Sequence, residues 1–296
     1  MKKIITNFLS ESFRERLERI IIGIAIVSFL AHLLIIFLVH QDVIHLSSKL
    51  TKSPISAVYT PFSFILVYEV FLLVFYLPRS ISSYIGKQYE IITLIVIRRI
   101  FKDIGYMELS GNWFQSENDL QFTYDLITAI ILFFLIQQFY KKLEQQAKKE
   151  INNTLAEKTQ LKITKFIQLK KTIAAILIPV VLVLAIYSFA NWIIVNQQSN
   201  WDDIATFKNI NNIFFEDFFI LLIIIDVILL LFSFFYSDSF HKIIRNSGFV
   251  ISTILIKLSF SVHGIINNAL ILGAVVFGFL ILLIHNSYKS SDNAAH

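Results

Sequence analysis

The sequence predicts an all-α integral membrane protein with about eight transmembrane helices, arranged as two parallel four-helix repeats. Of the 296 residues, 56% are hydrophobic and only 16% are charged, and the mean hydropathy is +0.67. A soluble domain carries about 25% charged residues. The apolar residues form runs of about 20, the length at which a helix crosses a hydrocarbon core of about 30 Å. These runs are apolar on every face, whereas the strands of a membrane barrel alternate apolar and polar side chains.

Six apolar runs are long enough to be transmembrane helices by length alone. Two shorter segments, 88–104 and 248–263, carry a base near the middle, so hydropathy allows them either to cross the membrane or to lie along its surface. The first run exceeds the core of a secretory signal, and no pair of small residues follows it for cleavage, so we expect an anchor. The six runs cover residues 20–39, 59–77, 120–140, 172–196, 214–236 and 265–285.

Loop charges decide whether the two shorter segments cross, because Lys and Arg concentrate in cytoplasmic loops. The N-terminal segment 1–19 has five bases and the central segment 141–171 has nine lysines, so both are predicted to be cytoplasmic. Three long runs separate these segments and would leave them on opposite sides, so 88–104 must also cross. The same rule makes 248–263 cross and leaves the C-terminus inside. The prediction is therefore eight helices with both ends cytoplasmic.

The predicted organisation has five parts along the chain. The bases of residues 1–19 and the lysines of residues 141–171 are expected to contact anionic lipid headgroups at the cytoplasmic face. Nucleic acid is not an expected partner this close to a bilayer, while a homo-oligomer or another membrane protein stays open as a partner. The parts are an amphipathic cytoplasmic segment (1–19), a first membrane repeat (20–140), a Lys-rich helical connector (141–171), a second membrane repeat (172–285) and a polar cytoplasmic tail (286–296).

The repeat is indicated by rare charges that match between the two halves. A shift of 159 positions sets "IITLIVIR" on "VISTILIK" and aligns Arg98 with Lys257. A shift of 157 sets "YEVFLLVF" on "IDVILLLF" and aligns Glu69 with Asp226. Matches between Ile/Leu-rich strings are common by chance, but ionisable residues inside membrane helices are few. Both halves begin on the cytoplasmic side, so the repeats are predicted to be parallel.

The matched charges are predicted to form two pairs near the middle of the membrane. Counting along the helices places Glu69 on the second helix and Arg98 on the third at similar depths. The same count places Asp226 and Lys257 at similar depths in the second half. An acid opposite a base is the arrangement that compensates two charges buried in a membrane.

Three further ionisable residues are expected nearer the outer side of the first repeat. Arg99 and Lys102 follow Arg98 on the third helix. Asp125, on the fourth helix, is predicted at the level of Arg99 and is a candidate partner for it. Gln121, Asp125 and Thr128 would share one polar stripe, because residues three and four apart lie on the same face of a helix.

Two function classes remain open after the motif search, with an enzyme as a third and less favoured one. The first is a channel or carrier for a small ion with the paired charges at its midplane. The second is a non-transporting membrane assembly or signalling subunit in which the pairs are structural bridges. The chain has no cysteine and none of the common nucleotide, metalloprotease or serine hydrolase motifs, so we expect no cofactor and no metal.

The topology can be tested by labelling from either side of the membrane. The lysines of 141–171 should react with an impermeant amine reagent only from the cytoplasmic side, because the positive segments stay inside. A cysteine at Ser110, in a loop predicted to be outside, should react with an impermeant maleimide only from the external side. Labelling of Ser110→Cys from the cytoplasm would contradict the predicted topology.

Overall fold

The computed structural model is all-helical in the residues that it describes, which are 9–44, 54–104, 117–151, 157–196, 204–236, 240–262 and 264–294. Eight α-helices and one short 3-10 helix, Pro54–Val58, make up these residues, and no strand occurs among them. The α-helices are α1 (Glu11–His40), α2 (Tyr59–Tyr76), α3 (Ile81–Ile104), α4 (Glu117–Ile151), α5 (Glu157–Asn196), α6 (Ile204–Tyr236), α7 (Phe240–Ser259) and α8 (Gly264–Ala294).

Four of the helices are long and apolar enough to cross a membrane. They contain the segments Glu11–His40 in α1, Asp119–Gln145 in α4, Phe218–Phe235 in α6 and Gly264–Tyr288 in α8. Much of their apolar surface faces away from the protein interior, with Val27 of α1 66% exposed and Phe235 of α6 79% exposed. Apolar helices of this kind are satisfied by lipid, because every backbone group is bonded within the helix. The all-α membrane class predicted from composition is confirmed.

Each predicted span overlaps a helix, and most helices begin earlier than their apolar runs, including the helices of the two shorter segments. α3 begins at Ile81 rather than at 88, because the Ser80 side chain caps its first turn and accepts from the backbone N–H of Ser83 at 3.1 Å. α7 begins at Phe240 rather than at 248 and ends at Ser259. Polar residues can start a helix inside a membrane protein without adding to its hydropathy, so the apolar run underestimates the length. The membrane depths of Arg98 and Lys257, which were counted along segments beginning at 88 and 248, shift accordingly.

The predicted boundary between the N-terminal segment and the first span lies inside one helix. α1 runs without interruption from Glu11, where the Ser10 hydroxyl accepts from the Phe13 N–H at 3.2 Å, to His40. The Lys-rich connector is carried by the end of α4 and the start of α5, which are helical up to Ile151 and from Glu157. The predicted break at Asn152 and Asn153 lies outside the described residues.

The chain forms two compact units, and several helices contribute to both. Unit 1 consists of Met1–Phe75, Ile97–Thr123 and Leu177–Phe218, and unit 2 of Tyr76–Val96, Tyr124–Ile176 and Phe219–His296. In unit 1, α1 contacts α2 through polar groups, since the Tyr68 hydroxyl donates to the Glu18 carboxylate at 2.7 Å. The His32 ring also bonds the Thr60 hydroxyl. Such bonds hold membrane helices together where the hydrophobic effect cannot.

Unit 2 has a core in which a tyrosine hydroxyl is bonded between helices. Tyr89 is fully buried and packs edge-on against Phe139, with their ring centroids 5.3 Å apart. Ser252 donates its single hydroxyl hydrogen to the Ala274 carbonyl oxygen at 2.7 Å. The Tyr89 hydroxyl, 2.8 Å from the Ser252 oxygen, must therefore be the donor to it. This chain of bonds joins α3, α7 and α8.

Gly278 leaves the space that the Tyr89 hydroxyl occupies. A Cβ atom at this position would lie 1.7 Å from the Tyr89 hydroxyl oxygen and 3.2 Å from the Ser252 oxygen. The approach to Tyr89 is incompatible with the observed position of its hydroxyl, and the approach to Ser252 is tight. A Cβ at Gly273, on the same helix, would meet no atom within 4 Å.

We predict that Gly278→Ala destabilises the protein while Gly273→Ala does not. The new methyl group at 278 forces the tyrosine ring out of its place, and overpacking of this kind costs about 1–3 kcal/mol. Alanine at 273 removes a helical glycine in open space, which is neutral or stabilises by up to about 1 kcal/mol. Thermal unfolding in detergent, followed by the loss of folded protein, measures both changes.

The control is the double change Gly278→Ala with Tyr89→Phe. The smaller ring lacks the clashing oxygen, so the double variant should regain part of the lost stability. Equal stability of the two single alanine variants would contradict the packing described for Gly278.

Candidate polar site at Asp226

Asp226 is a carboxylic residue buried in the middle of α6. Its side chain is 5% exposed, and the neighbouring positions Leu222, Ile225 and Leu229 are buried as well. α6 is one of the four helices apolar enough to cross a membrane. An acid in such a helix is costly unless protein groups solvate it, and it is by default a candidate functional residue.

Gln88 connects Asp226 to two helices. The Gln88 side chain is 2% exposed and its Nε2 donates to Asp226 Oδ2 at 3.1 Å. Its Oε1 accepts from the Thr253 hydroxyl at 2.8 Å. The Thr253 oxygen is also 3.2 Å from the Phe249 carbonyl of its own helix. α3, α6 and α7 therefore meet at one amide that uses its donor and its acceptor in different directions.

A small cavity opens beside the carboxylate. It is lined by Asp226, Tyr84 and Asn246 together with apolar side chains, and it has room for about one water molecule. The Tyr84 side chain is 1% exposed, and its hydroxyl has no hydrogen-bond partner in the described part of the chain. Burial and the Asp226 carboxylate both raise the pKa of Tyr84 well above its usual value, so the phenol stays a neutral donor. A water in this cavity would have Tyr84, Asp226 and Asn246 as polar neighbours.

Lys170 is a buried basic residue of unit 2. The residue lies on α5, two positions before the predicted span 172–196, and is 2% exposed. Its Nζ donates to the Arg79 carbonyl oxygen at 2.9 Å and lies 5.2 Å from the centre of the Phe166 ring. Burial lowers the pKa of Lys170 to about 8, while the Asp226 charge opposes this shift and the Arg245 charge adds to it.

The sequence predicted that Asp226 pairs with Lys257, but the structure does not show this pair. The groups that act on the Asp226 carboxylate are Gln88, Tyr84, Thr253 and Lys170. Lys257 is half-buried and lies one helical turn beyond Thr253 on α7. The depth count began at 248, but α7 begins eight residues earlier at Phe240, so it did not locate the level at which Asp226 meets α7. The base whose charge acts on Asp226 is Lys170 of α5.

Glu69 and Arg98 lie in unit 1 and are both buried, at 5% and 7% exposure. The Arg98 charge acts on the Glu69 carboxylate. Glu69 Oε2 is buried and has no hydrogen-bond partner among the described residues. Direct pairing of the two residues stays a prediction.

The remaining predicted residues are placed separately. Asp125 is fully buried on α4, and its Oδ1 accepts from Asn268 Nδ2 on α8 at 2.8 Å. Arg99 lies on α3 in unit 1, whereas Asp125 belongs to unit 2, so their pairing stays a prediction. Lys102 is on α3, but its side chain lies outside the described set.

Four residues of the site were not selected from the sequence. Gln88 and Thr253 are neutral, so a prediction based on ionisable residues does not include them. Tyr84 lies before the apolar run, and Lys170 is one of nine lysines in a segment that reads as solvated. In this region the sequence predicted only Asp226, because it is a rare acid in an apolar run and aligns with Glu69.

The arrangement can hold a proton. The bond from Gln88 stabilises the carboxylate as an anion, and a carboxylate converts to an acid when it takes up a proton. The adjacent cavity has room for about one water molecule beside it.

The fold and this site define an all-α protein whose described residues include four helices long and apolar enough to cross a membrane, with a buried polar centre on one of them. No protein-family model matches the chain, and neither a curated protein nor a solved structure does.

Proposed function

We propose that the chain is a polytopic membrane protein that acts as a channel or carrier for a small ion, and that the ion is a proton bound by Asp226. The observation that carries the proposal is the Asp226 carboxylate itself, buried in an apolar helix and bonded to Gln88 beside a cavity of one-water size. Ionisable groups at membrane depth commonly mark ion pathways and proton relays.

A proton fits the site better than a metal cation. Lys170 acts on Asp226 as a positive charge, and Arg245 bonds Asn246, which lines the cavity, at 3.1 Å through Nη2. Positive charge close to the cavity disfavours a metal cation there. A proton needs no coordination shell and converts the carboxylate to an acid that Gln88 can still bond.

The membrane arrangement is part of the same proposal. The helices would cross eight times as two parallel repeats, with both termini cytoplasmic. Residues 141–171 are then cytoplasmic, and Lys170, at their end, lies near the inner surface. Glu69 and Arg98 would be the charged positions of the first repeat that correspond to Asp226 and Lys257.

Anionic lipid headgroups are the partner that the cytoplasmic lysines favour. The nine lysines of 141–171 and the bases of 1–19 would sit at the negatively charged leaflet, where each adds about 1 kcal/mol of attraction. A second copy of the chain or another membrane protein is a further partner that the proposal allows.

A non-transporting membrane assembly or signalling subunit is the alternative, and one observation favours it. The bonds of Tyr89 to Ser252 and of Asn268 to Asp125 join helices through polar side chains alone. Buried polar bonds of this kind act as interhelical glue. If the bond of Gln88 to Asp226 serves only this purpose, the protein should carry no flux.

Proton flux in liposomes tests the proposal. Purified protein should accelerate the decay of a pH gradient relative to protein-free liposomes, and Asp226→Asn should reduce this rate at least about tenfold, because an amide cannot carry the proton. Asparagine has the size of aspartate and still accepts from Gln88, so the fold should be kept.

Ser233→Ala is the matched control. It removes a buried hydroxyl of the same helix, which bonds the Leu230 carbonyl oxygen and not the carboxylate, so the variant should retain most of the flux. Wild-type flux in folded Asp226→Asn would contradict the role of Asp226. Absence of flux above the protein-free rate would favour the non-transporting alternative.

A further inference from the structure

A chain of hydrogen bonds through Gln88 and Thr253 ends on the Asp226 carboxylate. Gln88 Nε2 donates to Asp226 Oδ2 at 3.1 Å, and Gln88 Oε1 lies 2.8 Å from the Thr253 hydroxyl oxygen. That hydroxyl oxygen is also 3.2 Å from the carbonyl oxygen of Phe249, four residues earlier on α7. Gln88, Thr253 and Asp226 are 2%, 1% and 5% exposed. These groups therefore depend on one another for their hydrogen bonds.

The Thr253 hydroxyl has one hydrogen and two acceptors within reach. In the observed arrangement the hydrogen goes to Gln88 Oε1, which is nearer than the Phe249 carbonyl oxygen. An ionised carboxylate can only accept, so Asp226 requires the amide nitrogen of Gln88 on its side. The amide oxygen is then turned towards Thr253. The chain of bonds thus has one direction, and the charge of Asp226 sets it.

A protonated Asp226 favours the opposite direction. Its O–H group is a donor, and a buried donor without an acceptor is costly. A half-turn of the Gln88 amide exchanges the amide oxygen and nitrogen and offers the acid an acceptor. The amide nitrogen then donates to the Thr253 oxygen, and the Thr253 hydrogen turns to the Phe249 carbonyl, which is already 3.2 Å away. The proton on Asp226 is the only atom gained, and each group of the chain keeps a partner.

We propose that Gln88 and Thr253 are positioning residues for proton binding at Asp226, which reverse their hydrogen bonds through a half-turn of the Gln88 amide each time Asp226 gains or loses a proton. The proposal rests on the proposed function, because it takes Asp226 to be the proton-binding group. Neither residue carries the proton. Their reversal gives both forms of the carboxyl group a bonded partner, so proton uptake does not strand a buried donor or acceptor.

The other titratable or charged groups near the carboxylate come from α3, α5 and α7. Tyr84 of α3 lines the same cavity as Asp226 and stays a neutral phenol. Lys170 of α5 acts on the carboxylate through its charge. Arg245 of α7 bonds a second residue of that cavity, with its Nη2 at 3.1 Å. Gln88 differs from these three in being hydrogen-bonded to the carboxylate, so its amide is the nearest group that can change from donor to acceptor.

Solid-state NMR of the protein in lipid bilayers tests the reversal. With ¹⁵N at glutamine amides and ¹³C at aspartate carboxyls, the ¹³C shift of Asp226 reports its protonation, and its dipolar coupling to Gln88 reports the orientation of the amide. Asp226→Asn and Gln88→Leu assign the two signals. When Asp226 takes up its proton, the coupling should fall at least about twofold. The half-turn moves the nitrogen by about 2.2 Å, the spacing between amide oxygen and nitrogen, and the coupling decreases with the cube of distance.

Two changes of Thr253 separate the reversal from a general effect on packing. Thr253→Ser keeps the hydroxyl, so the coupling should fall as in the wild type. Thr253→Val has nearly the same shape but cannot accept from the turned amide, so the coupling should stay high when Asp226 is protonated. Ser233→Ala is the matched control, because it removes a buried hydroxyl that bonds the Leu230 carbonyl oxygen. It should behave as the wild type.

A coupling that does not change when Asp226 is protonated would overturn the proposal, and so would a fall in Thr253→Val as large as that in Thr253→Ser. If Thr253→Val does not fold, the spectra of the wild type still decide. The measurements need no gradient, so absent flux would count against the proposed function and leave the reversal intact. Flux that depends on Asp226 with an unchanged coupling would overturn the reversal alone. An Asp226 carbon that keeps its carboxylate shift at every pH at which the protein stays folded would overturn both.

Discussion

The hydrogen bond from Gln88 to the Asp226 carboxylate is the contact on which the polar centre of unit 2 depends. A bilayer core provides no water to bond a buried acid, so the donors must come from neighbouring helices. Gln88 meets this need with its amide nitrogen and receives a bond from Thr253 at its oxygen. One side chain thereby fixes the relative positions of α3, α6 and α7, and it leaves a cavity between Asp226 and Tyr84.

Small and neutral residues set how closely these helices pack. Gly278 gives Tyr89 the space to bond Ser252, and that bond lies on the same helices, α3 and α7, as the contact of Gln88 with Thr253. In lipid, close backbone approach and interhelical hydrogen bonds replace the hydrophobic driving force of soluble proteins. The carboxylate is therefore surrounded by closely packed helices that are joined by hydrogen bonds.

Composition and run length were sufficient to predict the helical membrane class, because apolar runs of about 20 residues are typical of transmembrane helices. The beginnings of α3 and α7 were missed because polar residues such as Ser80 start these helices and contribute nothing to hydropathy. The importance of Asp226 was visible as a rare acid in an apolar helix, but its partner was not. Choosing Lys170 over Lys257 depends on how α5 packs in the fold, and helix rotation and packing are not encoded in spacing along one chain. Gln88 is neutral and gives no charge signal.

The distance between the Gln88 side-chain nitrogen and the Asp226 side-chain carbonyl carbon tests the central claim most directly. Solid-state NMR of protein labelled with ¹⁵N at glutamine amides and ¹³C at aspartate carboxyls, in lipid bilayers, measures it, with Gln88→Leu assigning the signal. We predict a separation of about 4 Å, as a nitrogen-to-oxygen distance of 3.1 Å requires. A folded protein in lipid with no dipolar coupling between these two nuclei would contradict the claim that Gln88 solvates Asp226.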